Sequence, residues 1–225
     1  MKPLWQLPAA IDVDRLNLIQ EELAARVRLE PCRRVATVAG VDAAYANGKG
    51  WGAVSLTDAA GNLIETCVSE QADVKFPYLP GYLAWRECTV VARALEMLSG
   101  QPDCILVDGH GILHPRFFGL ACAIGLMFDV CAIGCAKSPW RADWSEPGPA
   151  RGDWTPVRLD GRVVGATVRT RSGVRPVWVS PGHKCDLESS VRTVLDISRT
   201  RIPEPLRLAH SAAQAACSAA QTCAG

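Results

Sequence analysis

Three apolar runs, Val35 to Tyr45, Trp51 to Leu56 and Leu63 to Val68, are broken at Asn47-Gly48 and Gly61-Asn62, and no other feature constrains the fold as much. Asn-Gly pairs favour the left-handed backbone that tight hairpins need, so the runs are predicted to form a three-stranded antiparallel meander. A helical pattern from Tyr82 to Leu98 ends at Gly100, and the wholly apolar Cys104-Ile105-Leu106-Val107 follows. A strand buried on both faces after a crossover helix is of the parallel type. A second helix, Phe117 to Met127, and strand, Val130 to Cys135, repeat that unit. The predicted class is α/β, with a mixed central sheet, three antiparallel first strands and flanking helices.

The remaining elements fit around this sheet. Leu16, Ile19, Leu23, Ala24 and Val27 give Asp14 to Leu29 a helical period, with Asp12 or Asp14 as cap. Strands near Val163 to Arg169 and Arg175 to Ser180 precede a helix from Asp186 to Ile197, and Pro203 and Pro205 introduce an Ala-rich C-terminal helix. Residues 138–161, rich in Pro, Gly, Trp, Asp and Arg without a period, are expected as a surface loop. Residues 212–225 are expected as an Ala-rich tail that frays at its last Ala and Cys residues. A length of 225 residues suits one domain spanning 1–225.

Composition narrows the function. With 48% hydrophobic and 21% charged residues the chain folds, and 24 basic against 23 acidic residues leave +1, so it is no polycation. Nucleic-acid binding must then rest on a local patch or a metal. Asp129 interrupts the apolar stretch Gly119 to Ala136, which reads as helix then strand, and no membrane is expected. Met1 to Pro8 contain no apolar signal core, so the expected location is cytoplasmic. The ten cysteines form no C-x-x-C pair and are read as buried or incidental thiols.

Carboxylates fall where a core should be. Asp42 interrupts an apolar strand, and Asp108 closes Cys104 to Val107 at the carboxyl edge, where open α/β sheets place their sites. Glu87 lies in the stripe of Leu83, Val90, Val91, Ala94 and Leu98 that its helix turns to the core. Each acid alone reads as a cap or a satisfied partner of backbone or Arg. Three together would repel unless a divalent cation neutralised them, and hard oxygen donors suit magnesium or manganese. Acids on the first and fourth strands follow the logic of the RNase H-like fold. Lys137, on the same edge as Asp108, could stabilise a scissile phosphate or simply be a solvated strand end. His114-Pro115-Arg116 suits phosphate contact. His110 and His183 read as structural hydrogen-bonders.

Eight strings in order identify a resemblance. Val38-Ala39-Gly40-Val41-Asp42, Phe76-Pro77-Tyr78-Leu79-Pro80-Gly81, Trp85-Arg86-Glu87, Asp108-Gly109-His110-Gly111, His114-Pro115-Arg116, Ile133-Gly134-Cys135-Ala136-Lys137-Ser138, Ser180-Pro181-Gly182-His183 and Arg201-Ile202-Pro203-Glu204-Pro205 resemble the endonuclease V family. The resemblance implies a metal-dependent repair endonuclease that recognises deoxyinosine, deaminated adenine, and hydrolyses the second phosphodiester bond on its 3′ side, leaving 5′-phosphate and 3′-hydroxyl ends. It implies magnesium, with manganese substituting, held by Asp42, Asp108 and Glu87, the last directly or through water. His210, where many members have Asp, would complete the cluster, and Lys137 would support the phosphate or water. His114 and Arg116 would hold the backbone.

Pro77, Tyr78, Leu79 and Pro80 resemble the family's strand-separating wedge. Two prolines stiffen a loop that presents an aromatic and an aliphatic side chain. By resemblance Gly81, Leu83, Gly109, Gly111 and Trp140 would line the pocket for the extruded base. The expected partner is deoxyinosine-containing DNA, single- or double-stranded, bound by a monomer. Inosine-containing RNA, a general RNase H-like nuclease and a non-cleaving lesion binder are the alternatives. The chain departs from the family at Cys122-Ala123, where Ser-His is common, and at Cys131, where Pro is usual.

Overall fold

The computed structural model describes residues 1–7, 12–32 and 35–222. Helix α1, Val13–Ala24, is capped by Asp12, whose carboxylate accepts from the Asp14 amide at 3.1 Å. It stops five residues short of the expected Leu29. Leu16, Gln20 and Leu23 are buried, but residues 28–30 are exposed, so no buried face holds a further turn.

Strands β1, Thr37–Ala46, β2, Lys49–Asp58, and β3, Leu63–Val68, form the predicted meander, with Ala46 opposite Lys49 across the first turn. Asn47 and Gly48 both take positive φ, 49° and 74°, as a two-residue hairpin requires. The short β4, Ala72–Asp73, pairs with β2. Helix α2, Leu83–Glu96, crosses to β5, Cys104–Val107, which runs parallel to β1. Helix α3, Leu120–Phe128, starts three residues later than expected, because Phe117 turns left-handed (φ 53°) and Gly119 is extended. Strand β6, Cys131–Ala136, lies parallel to β5.

Strands β7, Trp154–Leu159, β8, Arg162–Val168, and β9, Val177–His183, complete one sheet of nine strands among the described residues, in the order β3-β2-β1-β5-β6-β9-β8-β7. The expected loop 138–161 is therefore corrected at its end, which is β7. Only Val157 of that strand is buried, and Pro156 lacks an amide hydrogen, so this edge strand shows no readable alternation. Strand β9 extends to His183 and takes in Ser180-Pro181-Gly182-His183. Helices α4, Leu187–Asp196, and α5, Glu204–Thr222, follow.

The expected tail from residue 212 is also corrected. It is helix through Thr222, with Ala213 and Cys217 buried against Ala44, Trp51 and Ala53. Residues 223–225 lie outside the described residues.

The sheet is covered on both faces. Along β5, Ile105 and Val107 join one core with Leu95 and Ile124, while Cys104 and Leu106 join another with Val194 and Leu206. Two glycines set the layer spacing. A Cβ on Gly40 would stand 2.2 Å from the Pro205 backbone and one on Gly52 2.1 Å from the Val90 carbonyl oxygen, so α5 and α2 approach β1 and β2 only over glycine. The stretch 119–136 divides into α3 and β6, and no described helix is long and apolar enough to cross a membrane. Antiparallel meander, crossover helix and parallel strands make the fold RNase H-like.

Candidate active site

Parallel pairing brings two acids together. Val41 lies opposite Val107, so Asp42 on β1 and Asp108, one residue past β5, emerge side by side at one sheet edge. The third acid, Glu87, comes from the second turn of α2. Lys137, the residue after β6, donates to Asp108 Oδ2 at 2.5 Å. His210, in the second turn of α5, places Nδ1 2.6 Å from Asp42 Oδ2, and the Ala43 amide donates to Asp42 Oδ1 at 2.8 Å. All five residues expected to be catalytic thus meet at one edge.

The charges are poorly compensated. Burial, then repulsion from Asp42 and Asp108, pushes Glu87 up to about 8. Burial and the Asp108 charge likewise raise Asp42, against the opposing pull of His210. Burial works against the Lys137 ammonium, but its hydrogen bond and charge pairing with Asp108 outweigh this and raise it. Among the described residues no three His, Cys, Asp or Glu side chains are drawn into a closed metal cage. Lys137 and His210 each occupy one carboxylate oxygen instead. Three neighbouring carboxyl groups, two of them raised by burial and by the charges of the others, are a donor set suited to a hard divalent cation.

A cleft of about 440 Å³ adjoins this edge. Gly81, Leu83, Gly109 and Trp140 line it together with Asp108 and Lys137. Gly111 does not, which corrects its expected position. Its amide donates to Ser180 Oγ at 2.7 Å, and a Cβ there would stand 1.9 Å from the Pro181 carbonyl oxygen, so it packs on β9.

The expected wedge forms the cleft rim. Tyr78, Leu79 and Pro80 line it, and Tyr78 is 67% exposed. Pro77 is exposed on the same loop. Arg86 pins the loop base by donating to the Phe76 carbonyl at 2.9 Å, while its guanidinium lies 4.2 Å from the Tyr45 ring centroid.

Gly81, with φ +86°, turns its carbonyl toward three side chains. Gln20 Nε2 donates to it at 2.9 Å, His114 Nε2 lies at 2.9 Å, and Arg116 Nη2 donates at 3.4 Å. Arg116 also donates to Gln20 Oε1, and its guanidinium stands 4.8 Å over the Tyr82 ring. His114 is turned inward and only 5% exposed, and burial lowers it to about 4. It is neutral at pH 7, so Arg116 supplies the positive charge at this corner.

Sequence reasoning missed Gln20, although its signal was available: Leu16, Gln20 and Leu23 share the buried face of α1. His110 also lines the cleft, with burial lowering it to about 4. No pattern pointed to Phe118 or Leu120, which the turn before α3 carries into the wall.

Comparison with known proteins places the whole fold. The sequence model of the endonuclease V family matches residues 21–211. Endonuclease V of Methanothrix thermoacetophila is 45% identical over 193 residues, covering 85% of this chain and 86% of that one. The Roseiflexus castenholzii enzyme is 40% identical over 216 residues, covering 95% and 97%. The crystal structure of endonuclease V from Streptomyces avermitilis superposes with a TM-score of 0.90 at 37% identity, covering 96% of this chain and 98% of that one. The acid edge, the cleft and its rim therefore sit on the scaffold of a known nuclease family, and the chain belongs to the endonuclease V family.

Proposed function

We propose that this protein is a metal-dependent DNA endonuclease that recognises deoxyinosine and hydrolyses the second phosphodiester bond on its 3′ side, leaving 5′-phosphate and 3′-hydroxyl ends. The carrying observation is that Asp108, whose charge reaches both Asp42 and Glu87, also lines a cleft large enough for a base, with an exposed tyrosine on its rim. Hydrolysis and recognition then share one wall.

Asp42, Asp108 and Glu87 would hold magnesium, with manganese substituting. When bound, the ion supplies Lewis acidity at the phosphate and activation of water at neutral pH. Lys137, fixed by Asp108, presents an ammonium to the scissile phosphate and stabilises the charge that grows on its non-bridging oxygens. His210 holds the Asp42 carboxylate in one orientation. Arg116 offers its guanidinium to the DNA backbone, while neutral His114 fixes the pocket wall beneath it.

Tyr78 and Leu79 insert where the base leaves the stack, and Pro77 and Pro80 limit the entropy lost on ordering that loop. Hypoxanthine lacks the amino group of guanine. A wall of close-packed backbone at Gly81 and Gly109 can admit it and leave an extra amino group without room or partner.

The test uses end-labelled duplexes carrying one deoxyinosine or adenine at the same place, with magnesium or chelator, mapped at nucleotide resolution. A metal-dependent nick one nucleotide past the lesion's own 3′ linkage is expected. Equal nicking of the adenine duplex sinks lesion recognition, and intact DNA beside a cleaved inosine-containing RNA makes the substrate RNA.

A further inference from the structure

The end of the sheet opposite the acids gathers four thiols. Cys104 and Cys131, opposite each other in register, begin β5 and β6, Cys185 follows β9, and Cys32 comes from the segment after α1. The Cys131 Sγ lies 3.3 Å from that of Cys32 and 3.5 Å from that of Cys104, and it also hydrogen-bonds Cys185. Cys131 is the meeting point of the cluster.

The four are not equally reachable. Cys104 and Cys185 have no exposed surface, whereas Cys32 and Cys131 both line an open cleft with Pro31, Val35, Asp103 and Lys184. From this juxtaposition we infer that Cys32 and Cys131 are an oxidative modification site, closed to a reversible disulfide by a hydroperoxide.

Besides the two thiols the chemistry needs only the hydroperoxide. The Cys32 thiolate attacks the peroxide: an S–O bond forms, the O–O bond breaks, and an alcohol, or water from hydrogen peroxide, leaves with a proton. The Cys32 sulfur, now a sulfenic acid, has given up two electrons. The Cys131 sulfur then displaces hydroxide from it, so an S–S bond forms, the S–O bond breaks, and water departs with the Cys131 proton. Two thiols and one hydroperoxide thus give a disulfide, an alcohol and water.

Geometry and charge both favour the order. The sulfurs must close from 3.3 Å to the ~2.05 Å of a disulfide, a shift of about 1.25 Å. The Cys131 contact and the Arg192 charge pull Cys32 below the ordinary thiol range, against burial and the charges of Asp103 and Asp186. Cys32 is also the more accessible of the two sulfurs, half-buried where Cys131 is buried, so the peroxide reaches it first. The bond would tie the segment after α1 to β6, closing a span of 99 residues.

The test treats the full-length reduced protein with hydrogen peroxide, blocks the remaining thiols with N-ethylmaleimide and digests it with trypsin without reduction. Expected is a mass loss of about 2 Da that dithiothreitol reverses. Expected too is peptide 29–33 joined to peptide 117–137, with fragmentation placing the bond at Cys131 rather than Cys122 or Cys135. In Cys131→Ser the cross-link vanishes and Cys32 gains oxygen instead. Because the mapping is done on the unmutated protein, a folding defect in the variant does not shield the inference. A bond between Cys104 and Cys131, an unreacted Cys32, or a stoichiometric zinc ion in the purified protein released by Cys131→Ser would each overturn it.

Discussion

The acid edge and the cleft beside it share Asp108 and Lys137 yet are built on opposite principles. At the edge three carboxyl groups stand close enough to raise Asp42 and Glu87, with one lysine, one half-exposed histidine and the Arg86 charge in reply. In the cleft the Gly81 carbonyl meets three side chains, and burial keeps His110 and His114 neutral. The first region is electrostatically unfinished and gains by taking up positive charge. The second is tied together at the Gly81 carbonyl, leaves only the buried His110 Nδ1 of its lining unpartnered among the described residues, and gains by staying still. Hydrolysis and discrimination are therefore expected to separate by mutation, although the two regions share Asp108 and Lys137.

The largest effect expected from that separation is on turnover. Asp108→Asn removes a charge from the edge while keeping its shape, and nicking should fall by about a thousandfold or more. Binding preference for inosine over adenine duplexes, read by gel shift in chelator, should survive. Retained nicking breaks the proposed metal role, and lost preference breaks the separation.

Stability comes next. Glu87 titrates near 8 in the folded protein against an ordinary 4.5, so between these values the folded state holds the extra proton. Stability of the metal-free protein must then fall as pH rises from about 4.5 to 8, by up to roughly 5 kcal/mol. Glu87→Gln removes the Glu87 share of this slope, leaving that of the raised Asp42, and should be the more stable protein at pH 8 but not at pH 4.5. Denaturant melts in chelator across that range decide it, and an unchanged slope in the variant would place the repulsion elsewhere.

The contrast also explains what was legible in the sequence. Asp42, Glu87 and Asp108 were visible because a charge inside an apolar run or a core-facing stripe contradicts its surroundings. The hairpin turn at Asn47-Gly48 and the buried strand Cys104–Val107 were legible for the same local reason. Strand β7 was not, since its single buried residue, Val157, gives no period, and α5 beyond residue 212 was hidden because alanines pack a helix without a strong apolar stripe. Gly111 and Gly109 look alike in the chain. Only the approach of β9 separates the packed one from the one that lines the cleft. The Cys32–Cys131 contact joins residues 99 apart, beyond any local pattern.

A smaller effect is expected at the rim. Tyr78→Ala leaves the acids and the inner cleft wall at Gly81 and Gly109 in place but removes the exposed rim ring that replaces the lost stacking, an interaction of about 1–3 kcal/mol. Preference for duplex inosine over adenine should fall about tenfold. Nicking of single-stranded inosine DNA, where no partner strand must be displaced, should change less. Equal losses on both substrates would make Tyr78 part of the pocket rather than a wedge.

The smallest effect tests whether the cleft is held still by its hydrogen bonds. Gln20→Ala takes one donor from the Gly81 carbonyl and the acceptor from Arg116, but His114 and Arg116 remain on that carbonyl. The loss is of the order of 1 kcal/mol, or about a fivefold rise in KM for the inosine duplex with kcat preserved. Because Gln20 touches neither the acids nor Lys137, a fall in kcat without a change in KM would mean that wall and edge move together. In that case the pocket would owe its selectivity to closure over the base rather than to a preset shape.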